Sequence, residues 1–373
     1  MASIGGPLAL IALYIPQALD GAGSSAGLAT LMAALLFVFP LVIWYRYAEQ
    51  ITSSGGLYAF VEAATGPTIA RVQAAFWIFS YFLYLVYTVP FIVYDLLPVI
   101  FPGSTHYRLL LDVFLVVLIC ALMLSPLIVT LSVTALIAAF QVAVAVLLAT
   151  VSLAHLGAPA NSFVGHGNLA VVLQGAGRTS SLYICASLPL FLGGEVRGGS
   201  RAVRQGIAWA FPAVAALAVV AVFPLANAKG SIINSEIPGM SLAEAFSGQP
   251  VGALVGVGVA VSVAGLIIAE FIALSRLLSA IFKRPSRPMV VVISVLFLAA
   301  SLVSLLNPPG AYGFLLKPSL VALWISQLLV VAVYPWFVRH YRKVLISDVA
   351  LATAASLVML VGLYTAVTSS SGT

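Results

Sequence analysis

Apolar stretches of about 20 residues, the length a helix needs to cross a hydrocarbon core, recur along nearly the whole of this 373-residue chain with short polar punctuation between them. Eleven are read, at roughly 3–20, 26–48, 70–100, 109–125, 127–155, 179–194, 207–228, 251–281, 288–306, 313–338 and 346–367, numbered spans 1 to 11. Charged residues make up only 7% of the chain, against roughly 25% in soluble domains, so water is not its main solvent. A membrane β-barrel would show short alternating strands, which runs such as LIVTLSVTALIAAFQVAVAVLLATVSL exclude. The sequence therefore predicts an all-α integral membrane protein with about eleven transmembrane helices and no appended soluble domain. Span 1 has no basic leader or small-residue cleavage pattern and is expected to be retained.

The net charge of +6 follows from topology and does not call for nucleic acid. With the N-terminus inside and alternating spans, the inner loops hold twelve basic residues, among them Arg46, Arg197, Arg201, Arg276 and Arg287, and the outer loops four: Arg108, Arg178, Lys229 and Lys317. Basic residues concentrate on the cytoplasmic side of membrane proteins, so the expected placement is the cytoplasmic membrane, N-terminus inside and C-terminus outside. The two cysteines, Cys120 and Cys185, lie in different spans, and the four histidines fall in loops or at helix ends. No disulfide framework, metal spacing or catalytic constellation is visible, and no cofactor is called for.

Internal repetition is faint. GLYAFVEAATGP at 56–67, between spans 2 and 3, echoes GMSLAEAFSGQP at 239–250, between spans 7 and 8. The two lie on opposite sides in the topology above, as an inverted repeat requires. The predicted organisation is a first five-helix repeat at 1–155, an external link at 156–178, a second repeat at 179–343 and an additional, peripheral helix at 344–373.

Three motifs carry a family resemblance. WYRYAEQITSSGGLYAFVEAATGP (44–67), GGEVRGGSRAVRQGI (193–207) and ALSRLLSAIFKRPSRP (273–288) resemble, in order and separation, the ends of helices 2, 6 and 8 in the amino acid-polyamine-organocation superfamily, with Gly199 where that family often has Pro. The resemblance implies a five-plus-five inverted-repeat fold with broken helices 1 and 6. It also implies movement of amino acids or related amines, coupled to protons or sodium or by exchange. Family spacing counted from Glu195 puts the unwound triplet of helix 6 on Cys185, Ala186 and Ser187. Pro189, which cannot donate its amide and disfavours helix before it, supports a break there, although a proline kink that only shapes packing is the alternative. In helix 1 the family's glycine break corresponds either to Gly5-Gly6-Pro7, without a preceding half-helix, or to the neighbourhood of Tyr14-Ile15-Pro16.

Intramembrane acids default to functional hypotheses. Asp20, Glu49, Glu62, Glu195, Glu236, Glu244 and Asp348 sit at span ends or in loops, and Asp95 and Asp112 lie near enough to an outer end to hydrate. Glu270 remains, about 15 Å from the cytoplasmic end of span 8 at the helical rise, where desolvation favours the neutral acid unless a cation is near. It is expected to take part in proton coupling or an inner gate, or else to be a structural acid. Ser262, two turns earlier, and Gln141 in span 5 are further coupling candidates. Tyr84, with Tyr81 and Tyr87, is a candidate for the substrate wall. Glu195 and Arg197, with Arg201 and Arg276, are candidate cytoplasmic gate contacts. The other readings are a different cargo on the same fold (a nucleobase, organic amine or ion) and a non-transporting membrane subunit.

Overall fold

The computed structural model describes residues 6–19, 25–164 and 169–368, and every regular element among them is helical. Among the described residues, nine helices are long and apolar enough to cross a membrane: Ala26–Gln50, Pro67–Ile100, Pro102–Leu124, Leu127–Leu156, Gly199–Asn227, Gln249–Phe282, Ser286–Ser304, Gly310–Tyr341 and Ile346–Thr368. These are spans 2–5 and 7–11. Spans 1 and 6 fall short of that length among the described residues: the described helix of span 1 runs from Pro7 to Ala18, and span 6 leaves α-geometry after Ser181. The chain is a multi-pass membrane protein.

Burial sorts the spans into a centre and a rim. Two thirds of the apolar window of span 8 is buried, against 22% in span 5 and 28% in spans 4 and 9. Large apolar side chains such as Leu136, Trp209, Phe314 and Ile346 are more than 70% exposed, as on a surface that faces lipid. Span 8 can be central because small residues let its neighbours approach: a Cβ on Gly258 would clash with the Leu8 side chain, and one on Gly265 would lie 2.8 Å from Ile137.

The sequence echo has a structural counterpart. Short helices Leu57–Thr65 and Pro238–Ser247 each end on a glycine, Gly66 (φ 85, ψ 177) and Gly248 (φ 87, ψ 166), whose amide bonds the carbonyl of the glutamate four residues earlier, Glu62 or Glu244. A residue with a Cβ rarely adopts this conformation. Each glycine then starts a long span.

Several boundaries differ from the sequence reading. Span 6 begins as an α-helix at Leu169 and runs to Ser181, inside the segment read as an external link. Its glycines disguise it; Gly175 and Gly177 are buried, and a Cβ on Gly177 would meet Val361 of span 11 at 2.8 Å. Span 11 lies near the rim, a third of its apolar window buried, and packs against this half-helix and against span 10, where Gly362 lies under the Trp324 ring. Asp112, expected to lie near enough to an outer end to hydrate, is instead fully buried, and neither carboxylate oxygen has a hydrogen-bond partner among the described residues. Gly5, Asp20 and His166 lie outside the described residues.

Candidate substrate cavity

Span 1 enters its helix at Gly6, whose φ of 59 is left-handed, with Pro7 at the first helical position. It then passes through a π turn at Leu10–Tyr14 and ends at Ala18. The neighbourhood of Tyr14-Ile15-Pro16 is therefore helical, and the non-helical entry is at Gly6. Pro16 lacks the amide that would continue the regular ladder, and the wider π turn precedes it, as such bulges often do near functional sites.

Span 6 loses α-geometry at Leu182–Tyr183 and continues as a 3₁₀ segment from Ile184 to Leu192. The break is thus broader than the triplet Cys185–Ser187 and starts before it. Beyond it the chain turns through Gly193 and Gly194 before span 7 begins at Gly199.

Where these two broken spans face spans 3, 8, 10 and 11 there is a cavity of about 340 Å³. Span 3 presents Tyr81, Tyr84, Thr88 and Phe91 to it at three- and four-residue intervals, which is one helical face, with Tyr87 beside them. Tyr14 enters from the π turn, Cys185 from the break, Tyr312 and Trp324 from span 10, and Thr365 from span 11. Glu270 contributes the one carboxylate in the lining among the described residues. It is 1% exposed, accepts a hydrogen bond from the Cys185 thiol at 3.7 Å on Oε1, and has no partner for Oε2 among the described residues. The aromatic wall is internally ordered: Tyr84 meets Tyr87 edge-on at 5.3 Å, Tyr87 meets Tyr312 at 5.6 Å, and Phe91 stacks on Tyr312 at 5.1 Å.

The predicted residues do not all share one place. Cys185, Tyr84 and Glu270 meet in the cavity. Gly6, Ser262 and Gln141 form a different cluster between spans 1, 8 and 5. There Ser262 Oγ accepts the Ala9 amide at 3.1 Å and donates to Gln141 Oε1 at 2.7 Å, and a Cβ on Gly6 would lie 2.6 Å from that hydroxyl. Ala186 and Ser187 are buried behind the lining, where Ser187 Oγ donates to the Ile184 carbonyl. Tyr312, Trp324 and Thr365 went unnoticed in the sequence because nothing there tells a lining aromatic from a lipid-facing one.

The cavity reaches the end of the bundle that carries Arg178, which lines its rim and is exposed. Toward the other end it is closed. Phe191 lies against Trp77 at 4.7 Å between centroids and fills the space over Gly56, where a Cβ would meet its ring at 2.5 Å. That contact, together with a φ of 51 at Gly56, explains the glycine directly before Leu57. Below it, Arg276 holds Glu195 through two bonds of 3.2 and 3.1 Å. The same end carries Arg204 paired with Glu49 at 2.7 Å, and Asp348 paired with Arg46 at 3.0 Å and Arg342 at 2.8 Å. Arg197 is exposed and makes no such contact among the described residues.

No family model matches this sequence, and no curated protein is similar to it in sequence. Solved structures are similar in fold. A manganese transporter from Eremococcus coleocola, solved with an aromatic bis-isothiourea compound, superposes with a TM-score of 0.61 at 13% identity, over 98% of this chain and 86% of that one. A nucleobase-cation-symport-1 family transporter, solved in a closed conformation with bromovinylhydantoin, superposes with a TM-score of 0.55 at 14% identity, over 98% of this chain and 89% of that one. The fold of this chain is the five-plus-five inverted-repeat fold of membrane transporters, with spans 1 and 6 broken and one helix added.

Proposed function

We propose that this chain is a secondary transporter related to the amino acid-polyamine-organocation superfamily, moving amino acids or related amines across the cytoplasmic membrane by alternating access. On this reading the N-terminus is inside and the C-terminus outside, because the ion-paired, arginine-rich end is cytoplasmic. The first repeat covers 1–155 and the second ends near 343. Transport is driven by a proton or sodium gradient or by exchange.

The observation that carries the reading is the position of Glu270. An unpaired acid oxygen is costly away from water, and here it faces a cavity at the broken part of span 6. A cationic group arriving from the Arg178 end would satisfy it. Phe191 and the Glu195–Arg276 pair then form the inner barrier that has to open for release. Manganese, named for one structural neighbour, is not carried over, since Glu270 and Cys185 are joined by no third His, Cys, Asp or Glu among the described residues. The aromatic wall keeps a planar ring in view as a second cargo, because stacked faces such as Phe91 on Tyr312 would also hold a nucleobase.

Uptake into proteoliposomes, measured with labelled amino acids, amines and nucleobases under imposed proton or sodium gradients, tests the proposal. Gradient-dependent accumulation of an amine or amino acid supports it. Accumulation of nucleobases alone favours the second reading, and failure of the whole panel to accumulate or exchange removes the transport assignment.

A further inference from the structure

We infer that a second pocket, at the arginine-rich end between the turn joining spans 4 and 5 and the start of span 9, binds the phosphate of an anionic phospholipid, held by Arg276 and Arg287. The pocket has a volume of about 350 Å³ and shares no lining residue with the aromatic cavity.

Among the described residues two arginines line this pocket and no carboxylate does. The Arg276 side chain, from span 8, is only 6% exposed. A guanidinium has five N–H groups. Two of those on Arg276 go to Glu195, at 3.2 and 3.1 Å, and one to Ser275 Oγ at 2.9 Å, which leaves two for an anion. Arg287 is exposed and has neither an ion pair nor a hydrogen bond among the described residues, and the hydroxyl of Ser286 beside it is equally unengaged. The other two hydroxyls of the lining are spent, since Ser125 and Thr130 both donate to the Leu122 carbonyl. Two guanidinium groups around one space repel unless an anion lies between them, and their forked donors match the oxygens of a phosphate.

The place of the pocket favours a lipid over a free anion. Spans 4, 5 and 9 are the least buried of the nine, at 28%, 22% and 28% of their apolar windows, and all three line it, with the apolar side chains of Leu124, Leu127 and Val290. Leu124 is itself 46% exposed, so the pocket lies on the lipid-facing rim. It also lies at the level where these spans end: Leu124 closes span 4, Leu127 opens span 5 and Ser286 opens span 9. Arg276 is about 9 Å from the end of span 8 at the helical rise, within reach of the headgroup layer for a long basic side chain. Basic pockets between spans at this level take anionic headgroups. A phosphate held there would share Arg276 with Glu195, and so with the inner closure of the cavity.

Native mass spectrometry of the full-length, lipid-stripped protein in a neutral detergent resolves successive bound lipids, with phosphatidylglycerol and phosphatidylcholine added at equal concentration. The first phosphatidylglycerol is expected to bind at least about fivefold tighter than the first phosphatidylcholine, whose choline cation opposes the arginines. Arg287→Ala should remove about that factor. Ser286→Asp puts a carboxylate at the mouth of the pocket, in a helical first turn that tolerates an acid, and should weaken phosphatidylglycerol at least as much. Arg201→Ala removes an exposed arginine of the same end that does not line the pocket and should leave the preference intact. Equal binding of the two lipids overturns the inference. Equal losses in Arg287→Ala and Arg201→Ala also overturn it, since they mean diffuse attraction to a basic face. Inorganic phosphate separates the two sources of the group: if it raises the unfolding temperature of the wild type but not of Arg287→Ala, while phosphatidylglycerol shows no preference, the pocket holds a free anion and the lipid assignment falls.

Discussion

Cys185 and Glu270 face each other across the cavity, the thiol of the broken span donating to the carboxylate of the central one at 3.7 Å. Neither span places a charged partner beside them, so the one strongly polar contact between spans 6 and 8 at this depth is weak and easily exchanged for a ligand. The predictions below follow from that pair, from the closures beneath it and from the helices that hold it.

A cation and a proton compete for Glu270. Amine affinity is therefore expected to rise as pH rises through the titration of this acid, because the deprotonated form binds and the protonated form does not. In Glu270→Gln the dependence should flatten over the same range. Dissociation constants measured across a pH series in both proteins check this, and an unchanged slope in the variant would remove Glu270 from the binding equilibrium.

Opening of the inner barrier can be read through Cys185, which is 8% exposed. Arg276→Ala removes the pair with Glu195, whose arginine side chain is 6% exposed. Losing a pair worth about 1 kcal/mol shifts an open–closed equilibrium several-fold. In a Cys120→Ser background, the rate at which a membrane-impermeant thiol reagent labels Cys185 from the arginine-rich face is expected to rise by about that factor.

Ser262 serves the architecture of span 1. Ser262→Ala leaves the Ala9 amide and the Gln141 side chain without their shared partner, an orphaning worth about 1–3 kcal/mol. Thermal unfolding in detergent should drop accordingly. Gly6→Ala should be at least as damaging, since its Cβ meets the same hydroxyl and its φ is left-handed.

Asp348 is fully buried while its partners Arg46 and Arg342 are 40% and 46% exposed. Asp348→Asn keeps the shape and loses the charge, and with half-solvated arginines the expected cost is about 1–2 kcal/mol. Because the network ties span 11 to span 2, the loss should appear as a lower unfolding temperature without a change in amine affinity.

Span 11 also shapes the cavity from the other end. In Gly362→Ala the new Cβ would lie 2.5 Å from the Trp324 ring, which lines the cavity. Overpacking of this kind costs about 1–3 kcal/mol. The tryptophan is expected to move into the binding space and weaken amine binding several-fold, a change visible in its fluorescence. Unaltered affinity and emission would mean that Trp324 has room to retreat elsewhere.

How much of this was legible in advance depends on which physical rule each feature obeys. Nine spans, with most but not all of their ends, and Glu270 as the deep acid could be read from the sequence, because hydrocarbon thickness and the cost of buried charge act on each segment by itself. The three- and four-residue spacing of Tyr81, Tyr84, Thr88 and Phe91 was visible too, but not which face it turned inward. The outer half of span 6 was hidden because Gly175 and Gly177 lower local hydropathy while serving close contact with span 11. That Ser262 bonds span 1 instead of lining the cavity, that Phe191 seals it over Gly56, and that Asp112 and Asp348 are buried all depend on which side chains distant segments bring together. Segment-by-segment solvation is written along the chain; pairwise contact between spans more than a hundred residues apart exists only once the bundle has packed.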